Sequence, residues 1–213
     1  MNVDAAKVYI VEDDDAVRES LQLVLESVGY KIKAFANANA FLDAYHGDMA
    51  GCLVLDIRMP GMNGMELQRK LNERNSILPV IFVTGHGDVP MAVEAMQQGA
   101  LDFVQKPYRE QELLEKIERA FKVDLDNRES LQQRQVIATR LQNLTPRELD
   151  VLRLMIEGKA NKVIAIDLDI SQRTVEIHRA RVMEKLEAHS LAHLVRMVMA
   201  VDSALLHPPT TNS

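Results

Sequence analysis

The sequence predicts two domains of different class. Residues 1–122 form an α/β domain with a doubly wound, five-stranded parallel sheet, and residues 144–207 form an all-α, four-helix domain containing a helix-turn-helix. A helical linker at 123–143 joins them, and residues 208–213 are a disordered tail. Three observations lead there. Short β-branched runs alternate five times with amphipathic segments in the first part, and such βα repeats place strands in parallel with helices on both faces. Between Tyr108 and Thr145 there is neither Gly nor Pro, which favours one long helix over a flexible tether. Beyond Thr145 the apolar spacing is helical throughout.

Taken in order, the strands fall at 7–11, 31–35, 52–56, 79–83 and 101–104. The helices between and after them fall at 15–27, 38–45, 63–75, 89–98 and 109–122. In the linker, Phe121, Leu125, Leu131, Val136, Ile137 and Leu141 keep no clean heptad, so it is not read as a coiled coil. Thr145-Pro146-Arg147-Glu148 is a capping box with Pro at the first helical position, where its missing donor costs nothing. The helix it starts runs to Gly158, a short helix follows at 161–168, Ser171 caps one at 172–187, and Ser190 caps the last. Two short helices at a tight turn, the second longer and polar on one face, make the helix-turn-helix.

At 213 residues, 47% hydrophobic and 26% charged, the chain suits two soluble domains and is too apolar for disorder. Its apolar runs fall far short of the roughly 20 residues that span a bilayer. The start also lacks a basic, cleavable leader, so a cytoplasmic location without membrane partners is expected. The single cysteine, Cys52, lies in an apolar run and reads as a buried thiol. Residues 1–122 carry 13 Lys/Arg against 19 Asp/Glu, whereas the remainder carries 12 of each. The first domain is therefore not a nucleic-acid face, and any such face in the second must be local.

In an open α/β sheet, chemistry gathers at the carboxyl ends of the strands. The polar residues there are Glu12, Asp13, Asp56, Thr84 and, just past the fifth strand, Lys106. Glu12, Asp13 and Asp56 would repel one another without a cation among them. Mg²⁺ or Mn²⁺, which take oxygen ligands, resolve the conflict. Asp56 can then attack a phosphoryl donor to form an acyl phosphate. Lys106 offsets the added charge, and Thr84 can turn its hydroxyl to a phosphoryl oxygen and move the backbone with it. Each residue alone has an ordinary explanation as a loop, cap or surface charge. Together, each ending a different strand in the right order, they form a set.

That set resembles the receiver domains of two-component response regulators, which are flavodoxin-like in fold, across residues 5–122. The motifs are Val-Glu-Asp-Asp (11–14), Leu-Asp-Ile-Arg-Met-Pro-Gly-Met-Asn-Gly (55–64), Val-Thr-Gly-His-Gly-Asp-Val-Pro (83–90) and Gly-Ala-Leu-Asp-Phe-Val-Gln-Lys-Pro (99–107). The resemblance implies that Asp13, Asp56 and the Arg58 backbone carbonyl bind the metal, with Glu12 acting through water. It further implies an aromatic switch at Phe103 coupled to Thr84, and a cis peptide at Lys106-Pro107. Glu12 stands where many members have Asp, and Phe103 where Tyr is commoner.

In the second domain, projecting 172–187 at 100° per residue sends Val175, Val182 and Leu186 to the core. The opposite face presents Arg173, Ile177, Ala180, Arg181 and Glu184, flanked by Thr174 and Glu176. Cations and hydroxyls suit phosphates, while Ile177 and Ala180 suit a thymine methyl and Glu176 a cytosine amine. Residues 144–200 resemble LuxR-type DNA-binding domains, and the whole chain the FixJ/NarL class. The motifs are Leu-Thr-Pro-Arg-Glu (144–148), Gly-Lys-Ala-Asn-Lys-Val-Ile-Ala (158–165), Ser-Gln-Arg-Thr-Val-Glu-Ile-His (171–178), Met-Glu-Lys-Leu (183–186) and Ser-Leu-Ala-His-Leu-Val (190–195). The resemblance assigns base reading to Glu176, Ile177 and Ala180, and phosphate contacts to Lys162, Thr174, Arg179 and Lys185. It also implies dimerisation through Leu191, Leu194, Val195 and Val198, although that stripe also reads as plain core.

The expected function is a transcription regulator, more often an activator among relatives, phosphorylated on Asp56 by a sensor histidine kinase. Its expected partners are promoter DNA, RNA polymerase and a second copy of itself. Beyond slow self-phosphorylation and dephosphorylation it is not expected to be an enzyme. A phosphohydrolase with Asp56 as nucleophile would need a second acid two residues on, where Arg58 stands. A third reading is an adaptor that binds a kinase and nothing else, which absence of DNA protection in footprinting would favour.

Overall fold

The computed structural model describes residues 6–85 and 89–201, the side chains of Val89 and Ala92 aside. The tail at 208–213 and the motif residues 86–88 lie outside that range. One compact unit ends at Arg128 and a second begins at Glu129, where the sequence reading ends the first domain at 122.

The first unit alternates β1(Lys7–Val11), α1(Asp15–Ser27), β2(Ile32–Phe35), α2(Ala38–Ala44), β3(Gly51–Asp56), α3(Gly64–Glu73), β4(Val80–Thr84), α4(Val89–Gln97) and β5(Asp102–Gln105). It closes with the start of α5(Glu110–Gln142). The strands pair in parallel in the order β2-β1-β3-β4-β5, so β3 is central. Residues alternate across the sheet as a period of two requires. Tyr9, Val11, Leu53, Leu55 and Phe82 meet Phe41, Leu67 and Leu71 on one face. Val8, Ile10, Cys52, Val54, Ile81 and Val83 meet Leu21, Leu25, Leu113 and Ile117 on the other. Helices α2 to α4 thus cover one side and α1 and α5 the other, with each fully buried aliphatic side chain contributing about 1.5–3 kcal/mol.

Helix starts are fixed by side chains. Asp14 accepts the Ala16 and Val17 amides at the head of α1. Asn63 and Glu66 close a capping box on α3.

The first unit grips α5 twice. Lys116 pairs with Asp102 of β5 at 2.7 Å. Further along, buried Asp124 accepts the Gly51 amide at 2.9 Å and the Arg128 Nε–H at 2.8 Å. Arg128 also donates to the carbonyls of Asp48 and Met49. Residues 129–136 of the same helix are exposed.

In the second unit, Ile137 and Leu141 of α5 pack against a core built by α6(Pro146–Ile156), α7(Asn161–Asp167), α8(Gln172–Lys185) and α9(Leu191–Val201). Its centre is Val151, Leu152, Met155, Ile164, Val175, Val182 and Leu194. The Thr145 capping box forms as the sequence predicts, with Glu148 reaching back to the Thr145 amide at 2.8 Å. Helix α8 stops at Lys185, short of the expected 187, because Glu187 takes a left-handed conformation at φ 53°. Among the described residues no helix is long and apolar enough to cross a membrane.

Candidate functional site

The carboxyl edge of the sheet gathers the predicted polar residues into one place. Glu12 follows β1, Asp56 ends β3, Thr84 ends β4, and Lys106 follows β5. Because β1 and β4 flank β3, the strand order alone brings Glu12 and Thr84 to either side of Asp56. Glu12 and Asp56 are only 3% and 6% exposed, while Asp13 is exposed.

Lys106 lies between the two buried acids. Its Nζ donates to Glu12 Oε2 at 2.8 Å and to Asp56 Oδ1 at 2.9 Å. The other Asp56 oxygen accepts the Arg58 backbone N–H at 2.7 Å. Burial pushes the Glu12 and Asp56 carboxyls above the usual carboxylate range, against the opposing pull of Lys106. Burial also disfavours the Lys106 ammonium, yet its bonds to Glu12 and Asp56 outweigh this and hold its pKa up. The pocket is therefore short of positive charge.

Glu12, Asp13 and Asp56 each bring one carboxylate oxygen within 4.8 Å of the others. Such a set of hard oxygen donors, already under strain from mutual repulsion and burial, fits Mg²⁺ or Mn²⁺. Thr84 is buried, and its hydroxyl donates to the Gly85 carbonyl at 2.9 Å. Phe103 on β5 is half-buried and packs against the core cluster that holds Phe82. The Lys106-Pro107 peptide is cis.

Two contributors escaped the sequence reading. The Arg18 guanidinium donates to the Glu12 carbonyl at 2.8 Å and pairs with Asp15, so the first turn of α1 holds the acidic loop in place. Gly64 donates its amide to the Ile57 carbonyl at 2.9 Å, and a Cβ there would stand 2.3 Å from the Asp56 carbonyl oxygen. The Gly64 position lies in a motif already noted, but its reason is a close approach that only coordinates reveal.

In the second unit, α8 buries Val175 and Val182 and exposes Arg173, Glu176, Ile177, Ala180, Arg181 and Glu184, as the helical projection gives. Ile177 is 46% exposed on that face. Lys162 is exposed in the first turn of α7, and Thr174 and Arg179 are half-buried on α8. Thr174 shares a 2.8 Å hydrogen bond with the capping Ser171 hydroxyl.

The Lys185 ammonium donates to the buried Glu148 carboxylate at 2.7 Å and to the Asn143 carbonyl at 3.1 Å, so it closes the head of α6. This pair is the leading cause that holds Glu148 down to about 2. The dimerisation stripe is likewise divided. Leu194 and Val198 are wholly buried in the unit's own core, while Leu191 is exposed and Val195 half-buried.

Comparison with known proteins agrees with both halves of this geometry. Residues 8–118 match the response regulator receiver domain, and residues 142–198 match the bacterial regulatory proteins of the luxR family. The chain is 48% identical over 194 residues to the transcriptional regulatory protein FixJ of Rhizobium meliloti, covering 91% of this chain and 95% of that one. It is 42% identical over 205 residues to the response regulator protein TmoT of Ectopseudomonas mendocina, covering 96% and 93%. Among solved structures, the response regulator StyR superposes with a TM-score of 0.78 at 42% identity over 92% of this chain and 98% of that one. Full-length FixJ from B. japonicum superposes with a TM-score of 0.58 at 45% identity, over 92% and 96%. With both family models matched and relatives of this identity covered almost end to end, the chain belongs to the response regulators that join a receiver to a LuxR-type DNA-binding domain and control transcription.

Proposed function

We propose that Asp56 is the phosphoacceptor and that its acyl phosphate regulates how α8 engages promoter DNA. The observation that carries this reading is the convergence of Glu12, Asp13, Asp56 and Lys106 at one strand edge. A carboxylate oxygen of Asp56 attacks the phosphorus of a phosphohistidine on a sensor kinase. The P–O bond forms as the P–N bond breaks, and the imidazole leaves with the bonding pair. Lys106 stays beside the Asp56 carboxylate and balances the charge brought in. The Thr84 hydroxyl leaves the Gly85 carbonyl to donate to a phosphoryl oxygen, and Phe103, lacking a hydroxyl, follows by packing alone. Asp13, Asp56 and the Arg58 carbonyl, with Glu12 through water, would hold a Mg²⁺ or Mn²⁺ ion, which would supply further charge neutralisation. The same pocket accounts for slow self-phosphorylation and dephosphorylation.

In the second unit, Arg173, Arg181, Lys162, Thr174 and Arg179 serve phosphates, and Glu176, Ile177 and Ala180 face base edges. Exposed Leu191 and half-buried Val195 are what α9 offers a second copy on DNA, and activation through RNA polymerase is the expected output. The test is labelling by acetyl phosphate with Mg²⁺, with Asp56→Asn as control, followed by DNA affinity before and after labelling. Equal labelling of the Asn variant, or equal DNA affinities, would overturn the reading.

A further inference from the structure

The matched families end at residue 118 and begin again at 142, so the middle of α5 belongs to neither. That stretch holds a buried ionic contact. Asp124 is 3% exposed, on a segment whose next two residues, Leu125 and Asp126, face solvent. Its Oδ2 accepts from both the Gly51 amide and Arg128 Nε, whereas its Oδ1 is buried with no hydrogen-bond partner among the described residues. Arg128 also donates from its two terminal nitrogens to the carbonyls of Asp48 and Met49, just before β3.

A buried carboxylate oxygen without a donor is costly, and a buried ion pair is weak evidence for stability, since an apolar pair of similar volume commonly does as well. Fastening alone therefore explains this contact poorly. Its position suggests more. Gly51 is the first residue of β3 and Asp56 the last, and every residue between them is buried. The strand is roughly 17 Å from end to end, with the phosphoacceptor at one tip and the Asp124 contact at the other. Gly51 is also held laterally, because a Cβ there would stand 1.9 Å from the Lys7 carbonyl oxygen. The helix gripped at that tip is the one whose Ile137 and Leu141 enter the core of the second unit.

We propose that Asp124 and Arg128 form a latch through which the state of Asp56 is read by the linker helix. Asp124 is a positioning residue that acts through Gly51 and β3. The proposal rests on Asp56 as phosphoacceptor. With the latch intact, acyl-phosphate formation alters the hold on α5. With the latch removed, Asp56 is still phosphorylated but DNA affinity no longer responds.

The experiment uses the full chain, the Asp124→Asn and Arg128→Gln variants, acetyl phosphate with Mg²⁺, and a duplex selected in vitro on the phosphorylated protein. Two quantities are read: the ratio of DNA affinities with and without acetyl phosphate, and amide exchange over residues 124–136. For the unsubstituted chain the ratio is expected in the usual range of allosteric coupling, about 5–150-fold, with exchange that changes on labelling. Both variants are expected to label normally, to show a ratio within about twofold of unity, and to lose the labelling-dependent change in exchange. Variants that keep the full ratio while their exchange still responds would overturn the latch and leave Asp56 as phosphoacceptor intact. A ratio of unity in the unsubstituted chain would overturn the gating reading itself, and the latch with it. Arg128→Gln leaves Asp124 bound to Gly51, so it keeps the test decisive should Asp124→Asn unfold.

Discussion

A β-carbon on Gly64 would stand 2.3 Å from the backbone carbonyl oxygen of Asp56. The head of α3 and the end of β3 are thus in backbone contact, and the acceptor is held from behind by main chain. Gly64→Ala must push these elements apart or distort the Asp56 peptide. It is expected to destabilise the first unit by about 1–3 kcal/mol, the usual cost of overpacking. Urea unfolding measures this directly, and an unchanged midpoint would contradict the close approach.

Removing the Lys106 ammonium leaves Glu12 and Asp56 facing each other without their common partner. Lys106→Met is therefore expected to lower labelling of Asp56 by acetyl phosphate. Breaking a buried pair from one side costs about 3–5 kcal/mol, less here because Lys106 is partly solvated. A loss of about 1–3 kcal/mol in metal-free buffer is the expected outcome by denaturant titration.

Glu148 makes a prediction in pH. Its carboxyl is lowered from 4.5 to about 2, first by the Lys185 hydrogen bond. A depressed acid contributes stability that is fully present above its unfolded value and lost as pH falls through the folded value. The second unit should therefore lose about 2 kcal/mol between pH 4.5 and 2, and Glu148→Gln should remove that dependence. Acid titration of helicity at several urea concentrations would show it.

Lys185 and Arg181 should separate in salt. Each phosphate contact adds about 0.9 to the slope of log affinity against log salt concentration. Arg181→Ala is expected to lower that slope by about 0.9 and to weaken binding on all duplexes alike. Lys185→Met should leave the slope unchanged and lower thermal stability instead. A reduced slope for Lys185→Met would return it to the DNA-contacting face.

Cys52 should be inert in the folded chain. It is fully buried on β3, and burial pushes its thiol pKa well up. Iodoacetamide is expected to label it only after unfolding, a result readable by mass spectrometry.

The succession of strands and helices along the chain and the Asp56, Thr84 and Lys106 set were legible because each leaves a local signature. These are a β-branched run, a cap or a polar residue ending a run. The exposed face of α8 was legible for the same reason, since a single helix carries its own periodicity. Long-range side-chain commitments were not. Nothing near Lys185 in the chain says that its ammonium belongs to Glu148, and nothing near Asp124 says that it meets Gly51, 73 residues away. Likewise the α9 stripe shows which residues are apolar, while only packing decides that Leu194 and Val198 are consumed within their own domain.

Strand β3 is apolar toward both sides of the sheet, with Leu53 and Leu55 in one core and Cys52 and Val54 in the other. Alternation of polar and apolar residues, which sets register where one face is solvated, is therefore missing from this strand. At its start Gly51 stands opposite Lys7 with a φ of +120°, where any side chain would collide with the neighbouring backbone. Only a hydrogen atom's worth of side chain is tolerated at that crossing, so the strand that carries Asp56 at one tip lies against the backbone of its neighbour at the other.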